Sequence, residues 1–175
     1  MTVLIYSHKT KNITNMAYIE YGKIESRIEC INYRIGKWIV RWGEHEGAEG
    51  VQHMVETFCP RPSLEKVRST IEAWINAQTA ERIRSGFMWR GMPVWLSQEN
   101  QLNYKAAYDL AVQTDGATLP VMFKFGTEQP VYHTFDNLAD LTDFYTSAVR
   151  HVRDTLETGW REKSAVDYSE YEVLD

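Results

Sequence analysis

The fold of this chain is constrained most by a change of hydrophobic period at the stretch CPRP, residues 59–62. Before it, short runs rich in β-branched and aromatic residues alternate between apolar and polar, as half-buried strands do. After it, apolar residues recur every three or four positions, which indicates helices. Because proline interrupts both helices and central strands, the stretch predicts a boundary between a small β module, residues 1–58, and a second domain.

The β module is predicted from its alternating segments. Residues 24–30 and 38–42 alternate as strands, and residues 33–37 between them resemble a hairpin turn. Residues 43–50 read as a polar, glycine-rich loop, after which residues 51–58 return as another strand. A module of this size is marginal for independent stability.

The second domain begins with a helix that has both start and stop signals. Ser63 is a candidate N-cap, and the apolar spacing continues to about Arg84, with Gly86 ending the helix. A hairpin follows, with the pair Arg90-Gly91 as its two-residue turn. Ser97 then caps a second helix, which is expected to continue to about residue 114.

The same order of elements then repeats. Residues 119–125 and 131–135 are predicted strands, and a third helix is predicted over residues 138–158 with Gly159 as its cap. The predicted fold class is α+β: an N-terminal β module, then an α-ββ-α-ββ-α domain over residues 62–163, with helices packed on antiparallel sheet. Residues 164–175 are expected to form a loosely held acidic tail.

Charge and composition narrow the class of function. The net charge of −5 argues against a general binder of nucleic-acid backbones, which would normally be basic. An aromatic content of 13% favours a protein that binds partners. The N-terminal MTVLIYSHKTK has its apolar run before its lysines, the reverse of a signal peptide, and no apolar run is long enough to span a membrane. We expect synthesis in the cytoplasm without secretion.

The stretch FMWRGMPVWLSQENQ, residues 87–101, has two interpretations. Trp95 or Tyr104 could stack on a sugar, with Asn100, Gln101 or Asn103 as hydrogen-bonding partners. The simpler interpretation is a hairpin followed by a capped first helical turn, where oxygen atoms and negative charge are favourable.

Four other groups could carry chemistry, and each has a simpler explanation. His45 and His53 lie near glutamates but lack zinc-protease spacing, so a solvated acidic loop explains them better. Cys59 with His53 could form a nucleophile and base, but nothing orients them. The residues of the strand-to-helix junction could take part in acid–base chemistry, but helix capping explains them more simply. These junction residues are His133, Asp136 and Asp140.

A fourth group, the stretch YRIGKWIVRW, interleaves aromatic and basic residues as a surface for single-stranded nucleic acid would. Its basic residues are Arg34, Lys37 and Arg41. A strand pair with one solvated face explains it more simply. We predict no catalytic, cofactor-binding or metal-binding residues. Trp38, Trp42 and Trp89 are instead hypothesised to include partner-binding anchors, because hairpin tryptophans exceed what so small a sheet can bury.

The order of motifs over residues 62–167 resembles a known family. The carrying segments are GFMWRGMPVWLSQENQLNYKAAYDLA, TLPVMFKFG and HTFDNLADLTDFYTSAVRHVRDTLETGWREKSAVD. They are similar to a domain of unknown function found in genes of phages and prophages of gut bacteria, often beside tail and tail-fibre genes. The family has no established catalytic residues, so the resemblance implies an assembly role and no reaction.

The expected function is that of a non-enzymatic phage or prophage protein, virion-associated or acting in tail or tail-fibre assembly. Its partners would be other virion, tail or fibre proteins, reached by strand pairing or aromatic anchoring, with a homo-oligomer left open. After synthesis in the host cytoplasm it would join the virion. Two alternatives stay open: a carbohydrate-binding or glycan-processing module, and an intracellular regulatory or nucleic-acid-associated phage protein.

Overall fold

The computed structural model describes residues 17–126 and 130–172, which form two compact units. Unit 1 contains the chain up to Ala73 and from Val166 onward, and unit 2 contains Trp74–Ala165. The α+β class is confirmed. Residues 1–16 of the predicted β module and residues 173–175 of the predicted tail lie outside the described residues.

Unit 1 contains a four-stranded antiparallel sheet. Its strands are β1 (Tyr18–Tyr21), β2 (Ile28–Asn32), β3 (Lys37–Gly47) and β4 (Gly50–Phe58). Their order across the sheet is β1-β4-β3-β2. The prediction of a loop over residues 43–50 is wrong for most of its length, since β3 and β4 stay paired from Trp38↔Phe58 to Gly47↔Gly50. A shift of register between Trp42 and His45, at Gly43 with its φ of 68°, lets the polar glycine-rich segment remain in the ladder.

The C-terminal segment of the chain also belongs to unit 1. A 3-10 turn, Tyr168–Tyr171, brings the buried Tyr171 to β3, where its hydroxyl donates to the carbonyl of Arg41 at 3.0 Å. Arg27 and Glu170 form an ion pair of 2.8 Å. The expectation of a loosely held tail is therefore wrong over Tyr168–Tyr171.

Unit 2 follows the predicted order of helices and hairpins. Its helices are α1 (Leu64–Ser85, whose first residues belong to unit 1), α2 (Gln98–Gln113) and α3 (Leu138–Ser164). Its hairpins are β5 (Phe87–Trp89) with β6 (Met92–Val94), and β7 (Val121–Phe125) with β8 (Val131–Phe135). The order of elements and the two antiparallel pairings agree with the prediction.

Turn and capping residues define where elements of unit 2 begin and end. Arg90 and Gly91 both have positive φ, of 49° and 79°, as a tight two-residue hairpin turn demands. The Ser97 side chain accepts from the backbone N–H of Asn100 and caps α2. At α3 the cap is Asn137, which accepts from the N–H of Asp140.

The core of unit 2 is largely aromatic and is centred on Phe144 of α3, which is fully buried. Its ring lies 5.0–5.5 Å, between centroids, from four others. These are the rings of Trp89, Tyr104, Phe125 and Phe135. Edge-to-face and offset contacts of this kind contribute beyond the area that they bury. The aromatic core fixes both hairpins and α2 against the N-terminal half of α3.

Candidate partner-binding groove between α2 and α3

Helix α3 has two apolar stripes, one buried in the core and one that the core covers only in part. The first stripe contains Leu141, Phe144, Ala148 and Gly159, all buried. The second runs along the neighbouring face at intervals of three or four residues. Its members, called here the α3 outer stripe, are Tyr145, Val149, Val152, Leu156 and Trp160. Val149 and Trp160 are 48% and 58% exposed, so the apolar face of α3 is wider than the core that covers it.

Helix α2 lies beside the outer stripe and covers only part of it. The rings of Tyr108 and Tyr145 stack at 4.5 Å and join the two helices. The space between them is a half-open groove of about 450 Å³, within the range of ligand pockets. The residues that line this α2–α3 groove are Leu96, Gln101, Leu102, Tyr104, Lys105, Tyr145, Ala148, Val149, Val152, Arg153 and Leu156.

The charged residues of the groove lining are both cations. Lys105 pairs with Asp109 one turn further along α2, and this carboxylate raises the pKa of Lys105. Arg153 pairs with Asp154 at 2.8 Å. Arg153 also lies 3.9 Å from Glu157, and none of these three carboxylates is part of the lining. The groove is therefore an apolar channel whose two border cations are both paired with carboxylates outside it.

Tyr104 forms part of the groove and part of the core. Its ring packs at 4.6 Å from Phe123 and is 4% exposed. Its hydroxyl is buried and has no hydrogen-bond partner among the described residues. Burial raises the pKa of Tyr104 to about 12, since the phenolate would be poorly solvated there.

Unit 1 has a separate exposed apolar surface around the β2–β3 turn. Ile31, Tyr33 and Ile35 are 45%, 86% and 60% exposed. These residues alternate along the chain, so this turn presents a short apolar edge to solvent.

The three tryptophans expected to include partner anchors are placed differently from one another. Trp42 and Trp89 are 2% and 3% exposed, so they lack the accessible surface that an anchor needs. Nε1 of Trp89 donates to Asp143 at 3.1 Å. Trp38 is half-buried beneath the guanidinium of Arg61 at 5.2 Å, and its role as an anchor stays a prediction.

The amides of the stretch 87–101 bind the backbone of their own segment. Nδ2 of Asn100 donates to the carbonyl of Trp95, and Nε2 of Gln101 donates to the carbonyl of Leu96, both at 2.8 Å. The ring of Trp95 lies 5.3 Å from the guanidinium of Arg84. These amides therefore stabilise the connection between β6 and α2.

The polar residues at the start of α3 form an ion-pair cluster with the β5–β6 turn. Arg90 lies over the ring of Trp89 and donates to Asp140 at 2.9 Å and to Asp143 at 3.4 Å. The hydrogen bond from Arg90, followed by that from Asn137, lowers the pKa of Asp140.

The other junction residues lie beside this cluster. The ring of His133 packs at 4.6 Å from Phe135, and Asp136 is exposed next to the Asn137 cap. The ion-pair cluster therefore holds the β5–β6 hairpin against the start of α3.

The residues considered for metal or nucleophilic chemistry lie in unit 1 and are separately engaged. His53 is 3% exposed, with Nδ1 2.9 Å from the carbonyl of Gly22 and Nε2 3.3 Å from Glu20. Cys59 donates its thiol hydrogen to the carbonyl of Ile35. Within residues 17–126 and 130–172, no three His, Cys, Asp or Glu residues are grouped to hold a metal ion.

The basic residues of the YRIGKWIVRW stretch are not all available to bind a partner. Arg41 is half-buried and bonds Glu20, Glu29 and the carbonyl of Ser26. Arg34 is exposed.

Among the described residues, no helix is long and apolar enough to cross a membrane.

The sequence pattern did not lead to the α2–α3 groove. Tyr145, Val152 and Leu156 have the same helical spacing as the core residues Leu141 and Ala148, so the sequence pattern merges them into one apolar face. The missed signal was the pair Val149 and Trp160, which widens that face by a second row.

The comparisons with known proteins show a family without an assigned activity. Residues 66–175, more than half of the chain, match a family described as a domain of unknown function, DUF4376. Neither the curated proteins nor the solved structures give a significant match. The matched range includes α2, α3 and the groove between them. The chain therefore belongs to the DUF4376 family.

Proposed function

We propose that this chain is a non-enzymatic assembly protein of a phage or prophage, which acts through protein–protein contacts in the virion, the tail or the tail fibres. The observation that carries the contact-based role is the apolar α2–α3 groove, where Leu102 and Val149 are exposed to solvent and exposed Trp160 follows on the same stripe of α3. Contiguous exposed apolar surface on a folded domain usually marks a site of interaction. The phage context is supported by the resemblance of the motifs in residues 62–167.

The shape and composition of the groove suit a protein partner. Exposed Val149 and Leu102 provide aliphatic contact area in the groove. Exposed Trp160 lies outside the lining, one turn beyond Leu156 on α3, and tryptophan is enriched among residues that dominate binding energies. The cations Lys105 and Arg153 border the apolar floor in the way that a polar rim surrounds the centre of an interface. Unit 1 offers a second contact surface at Ile31, Tyr33 and Ile35.

Light scattering tests this function directly. The purified chain is measured alone and mixed in turn with the protein product of each neighbouring gene. We expect a complex of defined mass with at least one of these proteins. A chain that forms no complex with any of them would overturn the proposal.

Two matched pairs of variants locate the contact. Val149 in the groove and Val112 outside it are both valines with 48% exposure on helices of unit 2. Leu102 in the groove and Leu110 outside it form the second pair. We expect Val149→Glu and Leu102→Glu to abolish the complex and Val112→Glu and Leu110→Glu to leave it intact. Equal effects within each pair would contradict a contact at the groove.

A further inference from the structure

His53 is a buried histidine whose ring joins two strands of unit 1. It lies on β4 directly opposite Glu20 of β1 and is 3% exposed. Its Nδ1 is 2.9 Å from the carbonyl oxygen of Gly22, and its Nε2 is 3.3 Å from Oε2 of Glu20. Both partners belong to β1 or to the residue that follows it, and β1 is the outermost described strand on this side of the sheet. The ring therefore attaches the end of an edge strand to β4.

The two partners of the His53 ring are both hydrogen-bond acceptors. A backbone carbonyl offers only lone pairs, so Nδ1 carries a hydrogen when it bonds Gly22. An ionised carboxylate also offers only lone pairs, so Nε2 bonds Glu20 only when it carries a hydrogen too. A neutral imidazole has one ring hydrogen and would direct the lone pair of Nε2 at that carboxylate. The pair of partners therefore fits the charged ring, which donates from both nitrogens.

His45, on β3 of the same sheet, has a different pair of partners. Its Nδ1 lies 2.8 Å from the carbonyl oxygen of Gly43, and its Nε2 lies 2.9 Å from the amide nitrogen of Gln52. With the amide in this orientation the nitrogen is a donor, so the neutral ring of His45 satisfies both contacts. The sheet thus contains one histidine that needs a second ring hydrogen and one that does not.

The carboxylate that faces His53 is only partly neutralised by its other partner. Arg41 of β3 lies 3.4 Å from Glu20 and 3.0 Å from Glu29 of β2. One guanidinium is therefore shared between two carboxylates. This leaves negative charge at Glu20 for a charged His53 ring to offset.

The remaining titratable groups around the end of β1 keep their state while a histidine titrates. Glu44 of β3 accepts from the backbone N–H of Ile24 at 2.6 Å and holds the segment after β1. Tyr18 lies on the same face of β1 as Glu20, and burial raises its pKa above the ordinary 10.0. Between about pH 5 and 8 the glutamates and Arg41 stay ionised and Tyr18 stays neutral, so His53 is the group of this cluster that changes charge.

We infer that His53 is a pH-sensitive switch for the attachment of β1: with hydrogen on both ring nitrogens it binds Gly22 and Glu20 together, and loss of the hydrogen on Nε2 weakens the hold of β4 on β1. The sign follows from the hydrogen bonds, since the charged ring donates two and the neutral ring one. β1 is therefore held more tightly on the acid side of the transition. Its release would free backbone groups on the edge of β4 for pairing with another strand. The inference does not depend on the α2–α3 groove or on the proposed assembly function.

Nuclear magnetic resonance of the isotope-labelled chain tests the switch without any substitution. The ring-nitrogen signals report the state of His53 and His45 across a pH series, and amide hydrogen exchange, corrected for the intrinsic effect of pH, reports the protection of β1. We expect the protection of β1 to fall by about threefold to tenfold as His53 loses its second ring hydrogen. Protection that does not change with pH, or that changes with the ring of His45 instead, would overturn the inference.

Two glutamate variants provide the matched comparison. Glu20→Gln and Glu29→Gln each remove one negative charge from a carboxylate bound to Arg41, and these side chains are 43% and 50% exposed. Of the two, Glu20 is the one that contacts His53. A glutamine at position 20 has both a donor and an acceptor and satisfies either form of the ring, so Glu20→Gln should lose the pH response of β1. Glu29→Gln should keep it.

His53→Gln completes the set, because it has no ring to titrate. The protection of β1 in this variant should no longer depend on pH, whatever its absolute level. A pH response that survives in His53→Gln, or one that is equal in the two glutamate variants, would show that another group controls β1. If His53→Gln does not fold, the two glutamate variants decide the question.

Discussion

Tyr104 places a hydroxyl group beneath the α2–α3 groove, where no described residue forms a hydrogen bond with it. A buried polar group without a partner costs about 1–3 kcal/mol. Tyr104→Phe keeps the ring packed against Phe123 and Phe144 and removes only that group. We therefore expect the free energy of unfolding to be unchanged or to rise by about 1 kcal/mol. Urea denaturation measures it, and a loss of stability would show that the hydroxyl has a partner.

The tyrosines also predict a response to alkaline pH. Burial raises the pKa of Tyr104 and that of Tyr171 to about 12, from an ordinary value of 10.0. Because the folded chain holds these protons more tightly than the unfolded chain, their contribution to stability is complete below pH 10 and declines as the pH rises towards 12.

Ultraviolet absorbance of phenolate follows this transition during an alkaline titration. We expect Tyr104 and Tyr171 to ionise late, and Tyr104→Phe and Tyr171→Phe each to remove one late-ionising group. A variant whose late phase keeps the full amplitude of the unsubstituted chain would contradict the assignment of that tyrosine.

Single residues were the hardest scale to predict from the sequence. In the sequence, Trp42 and Trp89 appeared to be more aromatic side chains than so small a sheet can bury. In the structure both are core residues. Trp89 is buried because Phe125 and Phe144, which lie 36 and 55 positions later, converge on its ring. No local pattern contains those long-range contacts. Amide and hydroxyl roles within a turn, such as those of Ser97 and Asn100, could be predicted because the partner is a few residues away.

At the scale of elements, α3 continues past the glycine that was expected to end it. Gly159 is a buried residue inside the helix, and a Cβ there would lie 3.0 Å from Cγ2 and 3.2 Å from Cβ of Thr79 on α1. Thr79 is 7% exposed, and its hydroxyl donates to the carbonyl of Ile75. The glycine is therefore required for the close approach of α1 and α3 and does not act as a cap.

Gly159→Ala tests this close approach. Alanine favours a helix by about 1 kcal/mol over glycine, but overpacking against Thr79 costs about 1–3 kcal/mol. We expect a net loss of about 1 kcal/mol or more in thermal or urea unfolding. In the background Thr79→Ala, which removes Oγ1 and Cγ2 of the crowding side chain and leaves only its Cβ, the same substitution should be less destabilising. Equal effects in both backgrounds would contradict the contact.

Elements whose ends are set by residues close in the sequence were predicted well. Those that depend on pairing with a more distant segment were not. Ser63 and Ser97 begin α1 and α2, and Arg90-Gly91 forms the β5–β6 turn, all from short-range chemistry. The extension of β3 through His45 could not be predicted, because a glycine-rich polar segment acquires strand structure here only by pairing with Gln52. The groove was missed for a related reason. How much of the outer stripe of α3 remains exposed depends on where α2 lies.

At the scale of the whole molecule, the division into units does not follow the order of the sequence. Residues after Val166 return to unit 1, more than one hundred positions after its sheet. Arg68 lies 4.4 Å from the ring centre of Tyr168, and Tyr171 bonds the carbonyl of Arg41. The family match, residues 66–175, thus includes all of unit 2 and the closing segment of unit 1, without the strands that this segment contacts.

The closing segment should stabilise the sheet of unit 1 in particular. In a chain that ends at Ala165, the contacts of Tyr171 with β3 and the ion pair of Arg27 with Glu170 are lost. Removal of a buried aromatic side chain costs about 3–5 kcal/mol, whereas Tyr171→Phe loses only one hydrogen bond, worth about 1 kcal/mol. Tyr171→Ala should therefore resemble the truncation, and Tyr171→Phe should stay near the full-length chain.

Amide hydrogen exchange separates the two units, since protection reports local stability. We expect Tyr171→Ala to accelerate exchange in β3 and β4 and to leave the β7–β8 hairpin of unit 2 unchanged. If both sheets lose protection equally, the chain unfolds as one cooperative body. If neither does, the contact between Tyr171 and Arg41 does not stabilise unit 1. A selective loss in unit 1 would mean that a fragment limited to the family domain lacks the surface against which its own C-terminus packs.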